Sequence, residues 1–142
     1  MKTESGLKRF IDAQRHDYAT ALAEIRRGRK VTHWMWYIFP QIRGLGSSET
    51  SKYYAIKNVS EAEEFLKHPV LGPGLINICR ALLDQQSNDA NKIFGSPDDL
   101  KLRSSMTLFA SLPNTHPVFQ KVLERFFGAE KDPLTLQIMK GQ

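Results

Sequence analysis

The chain has 142 residues, 41% hydrophobic and 25% charged, with a formal net charge of +5 and one cysteine. That length suits a single domain over 1–142 that buries roughly 68–70% of its unfolded surface, and one cysteine excludes an internal disulfide. No apolar run approaches the ~20 residues of a membrane span, the opening residues are polar, and the lone Cys79 fits a reducing compartment, so the expected setting is the cytoplasm.

The first predicted helix covers about 6–27. Leu7, Phe10, Ile11, Tyr18, Leu22 and Ile25 recur at helical spacing, with Ser5 as the expected cap and Gly28 just past the end. Arg9, Asp12, Glu24 and Arg27 are expected to stay off the apolar stripe. Residues 1–30 carry eight Lys/Arg against four Asp/Glu, and Arg26-Arg27-Gly28-Arg29-Lys30 ends the helix as a basic cluster. Thr32 is the expected cap of a short helix that Pro40 stops at about Phe39. Gln41 to Ser51 reads as a loop, and Lys52 to Asn58 as either a short strand or an irregular lead-in.

Ser60-x-x-Glu63 has the form of a capping box and predicts a helix over about 61–67, which His68-Pro69 breaks. A further helix follows over about 70–86, its inner face carrying Leu71, Leu75, Ile78, Cys79 and Leu82. A short one over about 89–94 stops at Gly95. Ser96-Pro97-Asp98-Asp99 opens the next, which runs to about Ala110. Two more span about 117–127, ended by Gly128, and about 133–140, opened by Asp132-Pro133. Almost no segment alternates with period two. The fold class is all-α, one domain of seven or eight short helices.

The chemistry gathers in Thr32 to Ser48, which holds both tryptophans and closes on a Gly/Ser loop. Trp34 and Trp36 offer flat faces for a base or nicotinamide ring. Gln41 can read an amide or base edge. Arg43, Gly44, Gly46 and Ser48 form a weak phosphate-loop pattern, because glycines let backbone N–H groups approach an anion. His33 is the candidate acid or base. A second cluster, Lys101, Ser104, Ser105 and Thr107, is polar inside a core-like helix. Lys101 and Ser104 are one turn apart, so a lysine-activated serine is conceivable, although a Ser/Thr run can equally back-bond to the preceding turn. The four histidines are scattered with no cysteine or acid at ligand spacing, and no Walker or dinucleotide fingerprint is present. Neither a metal nor another cofactor is expected.

The run Thr32-His33-Trp34-Met35-Trp36-Tyr37-Ile38-Phe39-Pro40-Gln41, then Gly44-Leu45-Gly46 and Ser48, resembles the signature of the domain of unknown function 1810 family. So do Arg9-Phe10 with Ala13-Gln14, His68-Pro69-Val70-Leu71-Gly72, Ile93-Phe94-Gly95, Asp98 with Lys101-Leu102, Ser104-Ser105-Met106-Thr107-Leu108-Phe109, and Pro117-Val118-Phe119. The similarity covers about 7–138. It implies a compact all-α fold and no established activity. Some relatives carry a calpastatin-like label, for which nothing in this chain speaks. Others occur with macro-type ADP-ribose modules, which implies NAD or ADP-ribose metabolism by association. The resemblance marks His33, Trp34, Trp36, Gln41, Ser48, Ser51, Lys101, Ser104 and Ser105 as site candidates.

These readings converge on a pocket between the aromatic stretch, its Gly/Ser loop and the helix ending near Ala110. The pocket is expected to bind or process a phosphorylated small molecule, such as an NAD- or ADP-ribose-type nucleotide. Two rivals stand beside it: a non-catalytic interaction module, and a nucleic-acid-binding module, which the acids Asp12, Asp17 and Glu24 disfavour.

Overall fold

Helices meet the helical spacing of apolar residues all along the chain. The structure, a computed structural model, describes residues 2–142; the side chains of 2–5, and with them the cap expected at Ser5, lie outside the described ones. In order come α1 (Lys2–Arg26), α2 (Met35–Ile38), α3 (Glu49–Tyr54), α4 (Val59–Lys67), α5 (Leu71–Leu83), α6 (Ala90–Phe94), α7 (Asp98–Ala110), α8 (Val118–Phe127) and α9 (Pro133–Lys140). The fold is all-α, and among the described residues the only extended pairing is an isolated parallel bridge between Ile42 and Ile56.

A line of phenylalanines ties the long helices together. Phe10 of α1 meets Phe65 of α4 edge-on at 5.2 Å, Phe65 meets Phe109 of α7 at 5.6 Å, and Phe109 meets Phe119 of α8 at 5.7 Å. Each such pair adds about 0.5–1.5 kcal/mol beyond the burial of its area. Around this line α5 packs on α8, α1 and α4, and α7 packs on α8, α6 and α9. A second aromatic group joins Trp34, Phe39 and Phe94 at 5.8–6.3 Å. Cys79 is fully buried with its thiol 3.6 Å from the Met106 sulfur, and burial pushes that thiol far up, so it acts as a small hydrophobe.

Several helix starts differ from expectation. α4 begins earlier because Asn58, not Ser60, accepts from the Glu61 amide. Pro97, not Ser96, is the cap residue of α7, and no side chain caps that end. Thr32 does not cap α2; its hydroxyl donates to Glu24 at 2.7 Å. α3 occupies part of the expected loop and of the segment left open. It buries no residue, so it leaves no apolar stripe to read.

Two charged residues of α1 turn inward, contrary to expectation. Arg9 pairs with Glu61 at 2.8 Å, with side-chain exposures of 11% and 8%. Glu24 is 2% exposed and accepts from the Val31 and Thr32 amides, the Thr32 hydroxyl and the Trp34 indole. Both satisfy backbone groups that the apolar pattern cannot.

Candidate functional site

The site starts from how α2 is held. The Trp34 Nε1–H donates to Glu24 at 2.8 Å and the ring is 1% exposed, which locks α2 against α1. Trp36, two residues on, is only half-buried. Past Pro40 the chain pairs with the segment after α3. The Ile56 amide donates to the Gln41 carbonyl, and the Arg43 amide to the Ile56 carbonyl, both at 2.8 Å. The loop then folds back onto α3. Ser48 caps that helix by accepting from the Ser51 amide at 3.1 Å.

These elements enclose a pocket of about 410 Å³. Its wall includes Trp36, Gln41, Arg43, Gly44, Gly46 and Ser51, six of the residues singled out from the sequence, together with Lys52 and Tyr54 of α3. Lys52 and Tyr54 escaped sequence reading, although Ser48 followed by Glu49 is a helix-start signal that points to them. Among the described residues no carboxylate lies within ion-pair distance of Arg43 or Lys52. An apolar-aromatic floor with a few convergent polar groups is the usual make-up of a small-molecule site.

Gly46 sets how closely the loop meets α3. A Cβ there would fall 2.6 Å from Ser51 Cβ and 2.7 Å from its Oγ. Gly46→Ala therefore pushes the loop off α3 and lowers stability by about 1 kcal/mol or more. Thermal unfolding checks this, and an unchanged Tm would contradict it.

The remaining candidates do not gather at this pocket. His33 is exposed on the turn before α2 and is not part of the wall. Trp34 has no free face for a ligand ring because the core covers it. The Ser48 hydroxyl is committed to α3, bonding the Ser51 amide and, at 2.8 Å, the Ser51 hydroxyl. Lys101 reaches the site only through Trp36. Its Nζ lies 5.2 Å from that ring centroid and 3.3 Å from Asp98. Asp98 also holds Lys30 at 2.9 Å, and Lys30 Nζ lies 5.2 Å from the Trp34 ring. One carboxylate thus ties together two lysines, each set against one of the two indoles.

Ser104 and Ser105 belong to the core. The Ser104 hydroxyl lies 2.8 Å from Asp132 and 3.2 Å from the Leu100 carbonyl, while Ser105 is fully buried. Thr107 donates to the Arg103 carbonyl and accepts from the Asp132 amide, and Thr135 donates to Asp132 at 2.6 Å. Burial alone would raise the Asp132 carboxyl, but the Thr135, Ser104 and Leu134 hydrogen bonds and Arg103 hold it below its usual range. Asp132 caps α9, so this polar cluster fastens α9 to α7. A lysine-activated serine is not built here, since Lys101 turns to Asp98 and Ser104 to Asp132.

Comparison with known proteins bears on the whole chain. Residues 4–139 match the family described as "Protein of unknown function (DUF1810)". The chain belongs to this family. This DUF1810 chain is similar to a solved structure, the conserved hypothetical protein Rv1873 from Mycobacterium tuberculosis. The two are 42% identical over 94% of this chain and 96% of that one, with a TM-score of 0.92. No curated protein matches. The matched span includes α2, the Gly44–Gly46 loop and α3, so the pocket lies within the DUF1810 region. Among the described residues of this DUF1810 protein no helix is long and apolar enough to cross a membrane, and no group of three or more His, Cys, Asp or Glu is arranged to hold a metal ion.

Proposed function

We propose that the pocket between α2, the Gly44–Gly46 loop and α3 binds a phosphorylated small molecule with a planar ring, a nucleotide in the broad sense that includes NAD and ADP-ribose derivatives, in a cytoplasmic setting. The observation that carries this reading is one wall holding a half-buried indole and an amide beside two cations without carboxylate partners. Trp36 supplies the stacking surface, Gln41 the edge contact, and Arg43 with Lys52 the phosphate contact. The proposal is binding and not turnover. His33, the candidate acid or base, lies outside the wall, Ser104 is held by Asp132, and Ser105 is sealed in the core away from the pocket. The nucleic-acid reading loses support for a related reason: Lys30 of the basic cluster is tied to Asp98, and Trp34 is buried.

A thermal-shift panel of mononucleotides, NAD, nicotinamide mononucleotide, ADP-ribose and short oligonucleotides tests it. A ligand at 100 times its Kd adds about 2.7 kcal/mol to stability. Trp36→Ala removes a stacking contact of ~1–3 kcal/mol and weakens binding roughly ten- to hundredfold. Arg43→Ala weakens phosphorylated ligands and leaves their nucleosides unaffected. A silent panel would overturn the proposal in favour of a non-catalytic interaction module.

A further inference from the structure

The wall of the pocket continues on its far side into a second cleft, of about 450 Å³, between α1 and the end of α3. Arg43, Lys52 and Ala55 line both. The second cleft has its own aromatic surface in Tyr53, which is 61% exposed and stands edge-on to Tyr54 at 4.8 Å. Its charge is strongly positive. Lys57 joins Arg43 and Lys52 without an ion-pair partner among the described residues, Lys8 already holds Asp12 at 2.7 Å, and Arg9 holds Glu61. Among the described residues Asp12 is the only carboxylate in that wall. From Trp36 to Tyr53 the surface therefore runs aromatic, cationic, aromatic, with the two cations of the shared wall in the middle.

From this arrangement we propose that the ligand is bipartite: two ring-bearing halves joined by a doubly charged phosphate bridge, as in a pyrophosphate-linked dinucleotide. One ring stacks on Trp36, the bridge sits between Arg43 and Lys52, and the second ring lies against Tyr53. Charge selects the bridge. A pyrophosphate carries two negative charges for the two cations, whereas a phosphodiester leaves one cation unmatched. Size agrees, since either cleft alone suits a mononucleotide and the two together suit twice that. This inference rests on the nucleotide reading of the first pocket.

Calorimetric titration of the whole protein with AMP, diadenosine pyrophosphate and the 3′,5′-linked adenylyl dinucleotide tests it. The second ring binds at the effective concentration set by its short tether, so the pyrophosphate compound binds about tenfold or more tighter than AMP, and also tighter than the phosphodiester. Tyr53→Ala, at an exposed position that spares the core, returns the pyrophosphate compound to the AMP level and leaves AMP unchanged. Trp36→Ala weakens all three. If AMP binds and Trp36→Ala removes it, but the dinucleotide gains nothing or Tyr53→Ala has no effect, the bipartite ligand is wrong and the single-pocket reading stands. If the phosphodiester equals the pyrophosphate, the doubly charged bridge is wrong. If none of the three binds, the nucleotide reading falls with it.

Discussion

Replacing Glu24 by Gln lowers folding stability near pH 7 by about 3 kcal/mol and removes much of the protein's sensitivity to mild acid. Burial would raise this carboxyl, but hydrogen bonds from the Val31 and Thr32 amides, the Thr32 hydroxyl and the Trp34 indole outweigh it and hold it at about 2, against a usual 4.5. A carboxyl with a depressed folded-state pKa stabilises the fold above its unfolded pKa and loses that contribution as pH falls towards the folded one. The difference here corresponds to about 3 kcal/mol, present above about pH 5 and lost between there and pH 2. The amide variant carries no charge and sets an N–H₂ among four donors. Urea unfolding of both proteins at pH 7, 4 and 3 checks the point. Parallel pH curves for the two would show that Glu24 is not the titrating group.

Arg9→Met has an effect of similar size with a second consequence at the pocket. Besides Glu61, the guanidinium donates to the carbonyls of Tyr53 and Ala55, both at 2.8 Å, and to that of Gly6. Its removal leaves the buried Glu61 carboxylate with the Lys57 backbone amide, at 2.9 Å, as its remaining hydrogen-bond donor among the described residues. Breaking one side of a buried pair costs about 3–5 kcal/mol, which for a domain of this size lowers Tm by roughly 10–17 °C. Tyr53 and Ala55 also lose the anchor that fixes the end of α3, so affinity for the proposed ligand falls even though Arg9 is outside the first pocket. Arg9→Lys recovers only part of either loss, because one ammonium lacks the planar fork that reaches the carboxylate and both carbonyls. A Tm within a degree or two of wild type for Arg9→Met would contradict this account.

The two charged residues that matter most here are also those the sequence pattern misplaces. Periodicity reads apolar positions, and it located α1, α5 and α8 within a few residues because Phe10, Leu75, Val122 and their neighbours form stripes, whereas α9 was marked by Asp132-Pro133. Glu24 and Arg9 occupy helix positions where a charge normally meets water. Their burial follows from backbone groups at Val31, Thr32, Tyr53 and Ala55 that become neighbours only in the folded chain. The α3 helix left no stripe for the opposite reason, having no buried residue at all, and only the Ser48-Glu49 start marks it in the sequence. At the candidate site, composition singled out Trp36, Gln41, Arg43, Gly44 and Gly46, and the family resemblance added Ser51; all six line the pocket wall. Trp34 of the same stretch, and Ser105 of the second polar cluster on α7, went into the core, since type alone does not say which way a side chain turns.

The lysine–aspartate–lysine tie beneath the two indoles has a consequence for association itself. Trp36 is fixed on one side by Lys101, and the short helix that carries it is fixed by the bond from Trp34 to Glu24. Freezing a mobile side chain at the moment of binding costs about 0.5–1.5 kcal/mol. On the binding reading proposed above, these contacts order the Trp36 ring before a ligand arrives, so a stacking partner gives up less of this entropy on association.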